Sequence, residues 1–264
     1  MITQENIIKD LTAIRDQSPL VHNITNFVVM NNTANALLAI GASPVMSHAV
    51  EEVKDMAAIA SALVLNMGTL SPLWVEAMLL AGETAKQKGT PVIFDPVGVG
   101  ATPYRNQVAV RILENCKPDI IRGNGSEIMA LVNANTKTKG VDSTASSNDA
   151  LDAARQLATQ ANAIVVISGK TDFITDGETV LTVKNGSPLM PRVTGMGCTA
   201  TAIVAAFAAV DNNLLYAAAN AMAVMGIAGE MADLKSTGPG TLQLHFLDAL
   251  YNLTADEVTE FLLV

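Results

Sequence analysis

Cysteine is nearly absent from this chain. Its two copies, Cys116 and Cys198, stand far apart, with no Cys-x-x-Cys pair and no histidine beside either. That excludes a cysteine zinc site and a disulfide framework, and it suits a reducing cytoplasm. Aromatic residues make up only 4%, too few for the stacking platforms that hold single-stranded nucleic acid. Positive charge is scarce as well: 16 Lys and Arg stand against 25 Asp and Glu, for a net charge of −9. Such a surface repels phosphate backbones and anionic lipid, so small-molecule partners are expected, with no nucleic acid and no membrane. His22, His48 and His245 are dispersed, which argues against a histidine metal cluster. Met1 to Asp16 lacks the basic and apolar regions of a signal peptide. No unbroken apolar run approaches the ~18–20 residues of a membrane span. The nearest, Cys198 to Val210, contains Thr199 and Thr201.

What the chain does have is apolar bulk. Half of its 264 residues are hydrophobic, ample for a large core and suggestive of further burial between subunits. Short apolar runs alternate with helical patterns along most of the length. Strands are expected at Leu20–Ile24, Ser43–Met46, Ala62–Asn66, Pro91–Phe94, Asp119–Ile121 and Ala163–Ile167. Helices are expected at 4–15 with Thr3 as cap, 27–40, 51–60, 73–88, 106–115, a short one from Glu127, and 149–160. This order indicates an α/β fold, a mostly parallel sheet with helices on its faces. After Gly169 a hairpin forms around Asp176-Gly177, and helices follow at 197–210, 214–234, 241–252 and 255–262. The 214–234 segment is apolar nearly all round, which places it inside the domain or an oligomer. The polar stretch 133–148 reads as a surface excursion, and nothing divides residues 1–264 into more than one domain.

Chemistry is expected at the carboxyl ends of the strands, where open parallel sheets bind ligands. Asp95 ends one strand, Arg122 another and Ser168 a third. The turn Val193-Thr194-Gly195-Met196-Gly197-Cys198-Thr199 opens a helix, and a helix start gathers free N–H groups and positive dipole into an anion site. Together with Glu127, these residues suggest a phosphate and magnesium site. Taken singly, each also has a plain structural use: Asp95 as a turn cap, Arg122 as a surface charge, Glu127 as dipole compensation, Cys198 as a small buried hydrophobe.

The combination is more specific than its parts. Val21-His22-Asn23-Ile24-Thr25-Asn26, Gly41-Ala42-Ser43-Pro44-Val45-Met46, Leu65-Asn66-Met67-Gly68-Thr69-Leu70, Asp95-Pro96-Val97-Gly98-Val99-Gly100, Ile121-Arg122-Gly123-Asn124-Gly125-Ser126-Glu127, Lys139-Gly140-Val141-Asp142-Ser143 and Thr194-Gly195-Met196-Gly197-Cys198 span essentially the whole chain. Jointly they resemble the hydroxyethylthiazole kinases of thiamine salvage. Asn124-Gly125-Ser126-Glu127 is similar to the Asn-x-x-Glu magnesium motif of the wider ribokinase-like superfamily.

The resemblance implies a ribokinase-like fold and transfer of the ATP γ-phosphate to the hydroxyl of 4-methyl-5-(2-hydroxyethyl)thiazole. It implies a homotrimer with the thiazole pocket between subunits. It implies that Met46, Gly195 and Asn23 contact the thiazole, that Arg122, Ser168 and Thr194 contact ATP, and that Glu127 and Asp95 organise Mg2+. Gly195, Gly197 and Cys198 would surround the transferring phosphoryl. Cys198 stands where the superfamily places an Asp base, so a poor or dispensable base is expected there. A hydroxymethylpyrimidine kinase, a nucleotide-dependent dehydratase of the same fold and a non-catalytic binding protein stay open on the residues alone.

Overall fold

In the computed structural model, which describes residues 2–136 and 147–263, the short apolar runs become eight strands. They are β1 (Leu20–Ile24), β2 (Ser43–Val45), β3 (Ala62–Asn66), β4 (Val92–Asp95), β5 (Ile120–Asn124), β6 (Ile164–Ser168), β7 (Asp172–Thr175) and β8 (Val180–Val183). They form one sheet in the order β2-β1-β3-β4-β5-β6-β7-β8. The pairs from β2 to β6 are parallel, and β7 and β8 join antiparallel as the expected hairpin. The α/β sheet read from the sequence is the one observed.

The helices are α1 (Gln4–Gln17), α2 (Met30–Ile40), α3 (Val53–Ile59), α4 (Pro72–Lys88), α5 (Pro103–Cys116), α6 (Gly125–Thr136), α7 (Ser147–Ala161), α8 (Met196–Ala208), α9 (Leu214–Asp233), α10 (Pro239–Asn252) and α11 (Ala255–Phe261). Side chains alternate along each strand, so the sheet builds two cores. Val21, Val64, Ile93, Ile120 and Val166 pack with α1, α2 and α8 to α11. Leu63, Leu65, Phe94, Ile121 and Val165 pack with α3 to α7 on the other face. Helix α9 is long and apolar enough on average to match a membrane span, although Asn220 and Glu230 interrupt it, and 83% of its apolar window is buried within the fold. It is a core helix, and its all-round apolarity has that cause.

Boundaries depart from expectation where side chains cap or strands pair. Thr3 caps α1 as expected, whereas Ser71 with Pro72 opens α4 one residue before the expected Leu73. Helix α2 starts at Met30 instead of Phe27, because 27–29 form a turn after β1. Strand β5 runs on to Asn124, since its register with β6 pairs Asn124 with Ser168. Arg122 therefore lies within the strand. Of the polar stretch 133–148, residues 133–136 continue α6 and 147–148 open α7. The Lys139–Ser143 motif lies outside the described residues.

Candidate active site

The carboxyl ends of β4, β5 and β6 and the start of α8 border a cavity of about 940 Å³. Asp95, Arg122, Glu127, Ser168, Gly195, Gly197 and Cys198 all line it. Seven residues scattered over a hundred positions of sequence are thus brought to one place.

The turn before α8 is built around its two glycines. Gly195 has φ +87°, the left-handed region, and a Cβ there would stand 2.7 Å from Val29 Cγ1. A Cβ on Gly197 would stand 2.8 Å from Arg122 Nη1. The turn thus lies directly on the Arg122 guanidinium. Arg122 is only 8% exposed, and its Nη2 donates to Ser168 Oγ at 2.6 Å. Its Nε is buried and has no protein acceptor. Among the described residues it forms no ion pair. A buried cation beside the unsatisfied N–H groups of a helix start is a place for an anion.

Three acids face the same cavity. Asp95 Oδ2 accepts from Asn66 Nδ2 at 2.9 Å and Thr201 Oγ1 at 2.8 Å. Burial pushes its carboxyl up to about 6 against the pull of Arg122, with Glu127 adding to the rise. Asp172, whose Oδ1 accepts from Gly169 N at 2.9 Å, is likewise pushed up to about 6 by burial. The raised Asp95 value fixes the sign of a stability effect. The folded state holds that proton more tightly than the unfolded chain, so this contribution is complete below pH 4 and lost as pH rises through about 6. Asp95→Asn is expected to raise Tm relative to the parent more at pH 8 than at pH 5. An equal Tm difference at both pH values, by thermal scans, would contradict this.

Glu127 is held differently. Asn124 Oδ1 accepts from Glu127 N at 2.9 Å, while Glu127 Oε2 accepts from Asn124 N at 2.9 Å. This is a reciprocal capping box at the start of α6. Glu127 Oε1 accepts from Gly98 N at 3.0 Å, in the loop after Asp95. Among the described residues no cluster of three or more His, Cys, Asp or Glu could hold a metal alone. Two carboxylates on one cavity instead fit Mg2+, which takes one or two carboxylates and fills its shell with water and phosphate oxygens.

Cys198 faces the cavity as a thiol. Its Sγ accepts from Asn26 Nδ2 at 3.4 Å. Burial pushes it up to about 11, and Asp95 adds to the rise, against weaker opposing effects of Asn66, Asn26 and Arg122. The helix start, which lowers thiol pKa values in more open settings, does not prevail here. Asn26 Nδ2 also donates to Asn66 Oδ1 at 2.9 Å. A chain of Cys198, Asn26, Asn66, Asp95 and Thr201 thus crosses the sheet end. Asn66 and Thr201 were not singled out by sequence reasoning. A sequence signal existed for Asn66, the polar residue that ends its apolar strand, although its pairing with Asp95 is set by the register of β3 and β4.

The remaining expected residues lie apart from the cavity lining. Thr194 is exposed and borders a small crevice with Asn32, Val193 and Phe246. Asn23 is buried in β1, with Nδ2 donating to Val21 O at 2.9 Å and Oδ1 unpartnered. Met46 follows β2, the edge strand. The far wall of the cavity comes from Asn185, Pro188, Met222, Met225 and Gly226, none of them marked by the sequence as site residues.

A model of the hydroxyethylthiazole kinase family matches residues 11–256. The hydroxyethylthiazole kinase of Syntrophus aciditrophicus is 58% identical over 97% of this chain and 96% of its own. The solved hydroxyethylthiazole kinase of Pyrococcus horikoshii OT3 superposes with a TM-score of 0.91 at 40% identity, covering 98% of each chain. A ribokinase-like superfamily protein of Enterococcus faecalis V583, only 13% identical with a TM-score of 0.63 over 94% of each chain, shares the fold alone. With a family model matching nearly its whole length and a relative 58% identical across it, this chain belongs to the hydroxyethylthiazole kinase family.

Proposed function

We propose that the chain transfers the γ-phosphate of ATP to the primary hydroxyl of 4-methyl-5-(2-hydroxyethyl)thiazole, giving the thiazole phosphate used to make thiamine phosphate. The observation that carries this reading is the buried Arg122 guanidinium beneath Gly197, with an unpartnered Nε at the open start of α8. Phosphoryl transfer depends on positioning and charge neutralisation. Arg122 and the N–H groups of Gly197 and Cys198 supply both at one point. Ser168, held on the guanidinium, fixes its orientation. The apolar wall of Met222, Met225 and Pro188 suits a planar base.

Glu127 and Asp95 would hold Mg2+ through water, and the ion would neutralise charge on the β- and γ-oxygens. The substrate oxygen forms its bond to Pγ as the bond from Pγ to the bridging oxygen of ADP breaks. A thiol held near 11 keeps its proton at neutral pH, so Cys198 does not take the hydroxyl proton. The loose transition state requires little deprotonation of the alcohol before its P–O bond forms, so the proton leaves after that bond is made, to an oxygen of the transferred phosphoryl group or to water. Cys198→Asp is therefore expected to keep or raise kcat. A loss of several hundredfold, with ATP binding intact by calorimetry, would overturn that role for Cys198.

We further propose a cytoplasmic homotrimer in which the thiazole sits between copies. Phe27 and Val28 support this, at 66% and 62% exposure beside Asn26 and the Gly195 contact Val29. Met46 and Asn23 would then complete the thiazole pocket, with Thr194 near the ATP. Two unpaired thiols, Cys116 and Cys198, suit a reducing compartment. Parallel assays with the thiazole alcohol, hydroxymethylpyrimidine and pyridoxal test the acceptor. A preference for the thiazole alcohol of about 100-fold in kcat/KM is expected. A larger kcat/KM with either alternative would overturn the assignment.

A further inference from the structure

Arg105 is locally misplaced. It is the third residue of α5, whose first turn carries no acidic residue, and Thr102 caps that helix by accepting from Arg105 N. A cation at the positive end of a helix is unfavourable. Among the described residues Arg105 forms no ion pair to compensate. Sequences break such local rules where another demand prevails.

The demand is visible in its fork. Nη1 donates to Met67 O at 2.6 Å and to Val97 O at 2.5 Å, and Nη2 donates to Gly68 O at 2.8 Å. These carbonyls belong to two loops. Met67 and Gly68 directly follow Asn66, which donates to Asp95 Oδ2, and Gly68 N donates back to Asn66 Oδ1 at 2.9 Å. Val97 lies between Asp95 and Gly98, whose N–H holds Glu127 Oε1 at 3.0 Å. One guanidinium therefore ties together the backbones that aim both carboxylates. Arg105 itself does not line the cavity.

We infer that Arg105 is a positioning residue that sets Asp95 and Glu127 for the metal–triphosphate by clamping the loops after β3 and β4. This rests on the proposed use of those carboxylates. The planar fork matters more than the charge, because an ammonium cannot reach three carbonyls in fixed directions.

The test is calorimetric binding of a non-hydrolysable ATP analogue, with and without Mg2+, to folded Arg105→Met and Arg105→Lys proteins. Both variants are expected to weaken the Mg2+-dependent binding by about 10–100-fold, the range for groups that orient metal ligands. KM for the thiazole alcohol should stay within about twofold. In a Glu127→Gln background, Arg105→Lys should cost clearly less than it does in the parent, since the part of its effect that runs through Glu127 is already lost and only the part through Asp95 is left. Millimolar guanidinium should restore part of the binding to Arg105→Ala, with urea as the control. Binding equal to the parent in a folded variant would overturn the role, as would equal losses with and without Mg2+ or losses that multiply with Glu127→Gln. Should Arg105→Met not fold, Arg105→Lys carries the test. A parent that binds the magnesium complex but does not phosphorylate the thiazole alcohol would overturn only the acceptor. A parent whose analogue binding ignores Mg2+ would overturn the role of Arg105 together with that of the carboxylates.

Discussion

Arg122→Met is expected to lower kcat/KM by roughly 10³-fold, the lower end of what an arginine at a transferring phosphoryl contributes. Two effects combine. The buried charge that would face the γ-phosphoryl is gone, and so is the cation that holds down Asp95 and Asp172. Both acids already stand at about 6 with Arg122 in place. Without it each rises further, so the acid limb of the pH–rate profile should move to higher pH. Arg122→Lys should fall between, because an ammonium keeps charge but not the fork that binds Ser168 Oγ. Steady-state kinetics from pH 5 to 9 measure both effects. A variant within tenfold of the parent, with an unmoved acid limb, would remove Arg122 from the phosphoryl site.

Glu127→Gln should reduce magnesium-dependent turnover by about 10²-fold, in the range seen when a metal site loses a supporting group, and shift Mg2+ saturation to higher concentration. The fold should survive. Glutamine is accepted at this position of a capping box, and it keeps one oxygen for either Asn124 N or Gly98 N. Its amide NH2 must then oppose the other N–H, a cost of about 1–3 kcal/mol. Kinetics against Mg2+ together with a thermal melt separate these effects. Parent rates at low Mg2+ in the variant would refute the metal role, and a collapse of Tm without a kinetic change in the folded fraction would make Glu127 a cap only.

Much of this was legible in sequence because it depends on local patterns. Thr3 announced the start of α1, and Asp176-Gly177 announced the hairpin. The buried strands ran as short apolar blocks with polar ends, which placed Asp95 and Ser168 at the sheet rim. What was not legible depends on register and packing. Strand β5 continues two residues past Arg122 only because β6 pairs with it there. Asn66 and Thr201 meet Asp95 across 29 and 106 positions, and no local spacing encodes either contact. The Asn124–Glu127 motif carried two meanings at once, a capping box and a metal motif. Sequence suggested the second, whereas the folded protein forms the first and leaves Glu127 facing the cavity. Cys198 was ambiguous for a related reason. A helix start lowers a thiol pKa and burial raises it, and only the environment of Asn26, Asn66 and Asp95 decides between them.

The most direct measurement is ADP release from Mg·ATP with and without the hydroxyethylthiazole alcohol, with the product weighed by mass spectrometry. ADP formed only when the alcohol is present, together with a thiazole heavier by one phosphoryl group, is the expected result. A folded protein that binds ATP yet releases no ADP with the thiazole alcohol would contradict the proposed reaction.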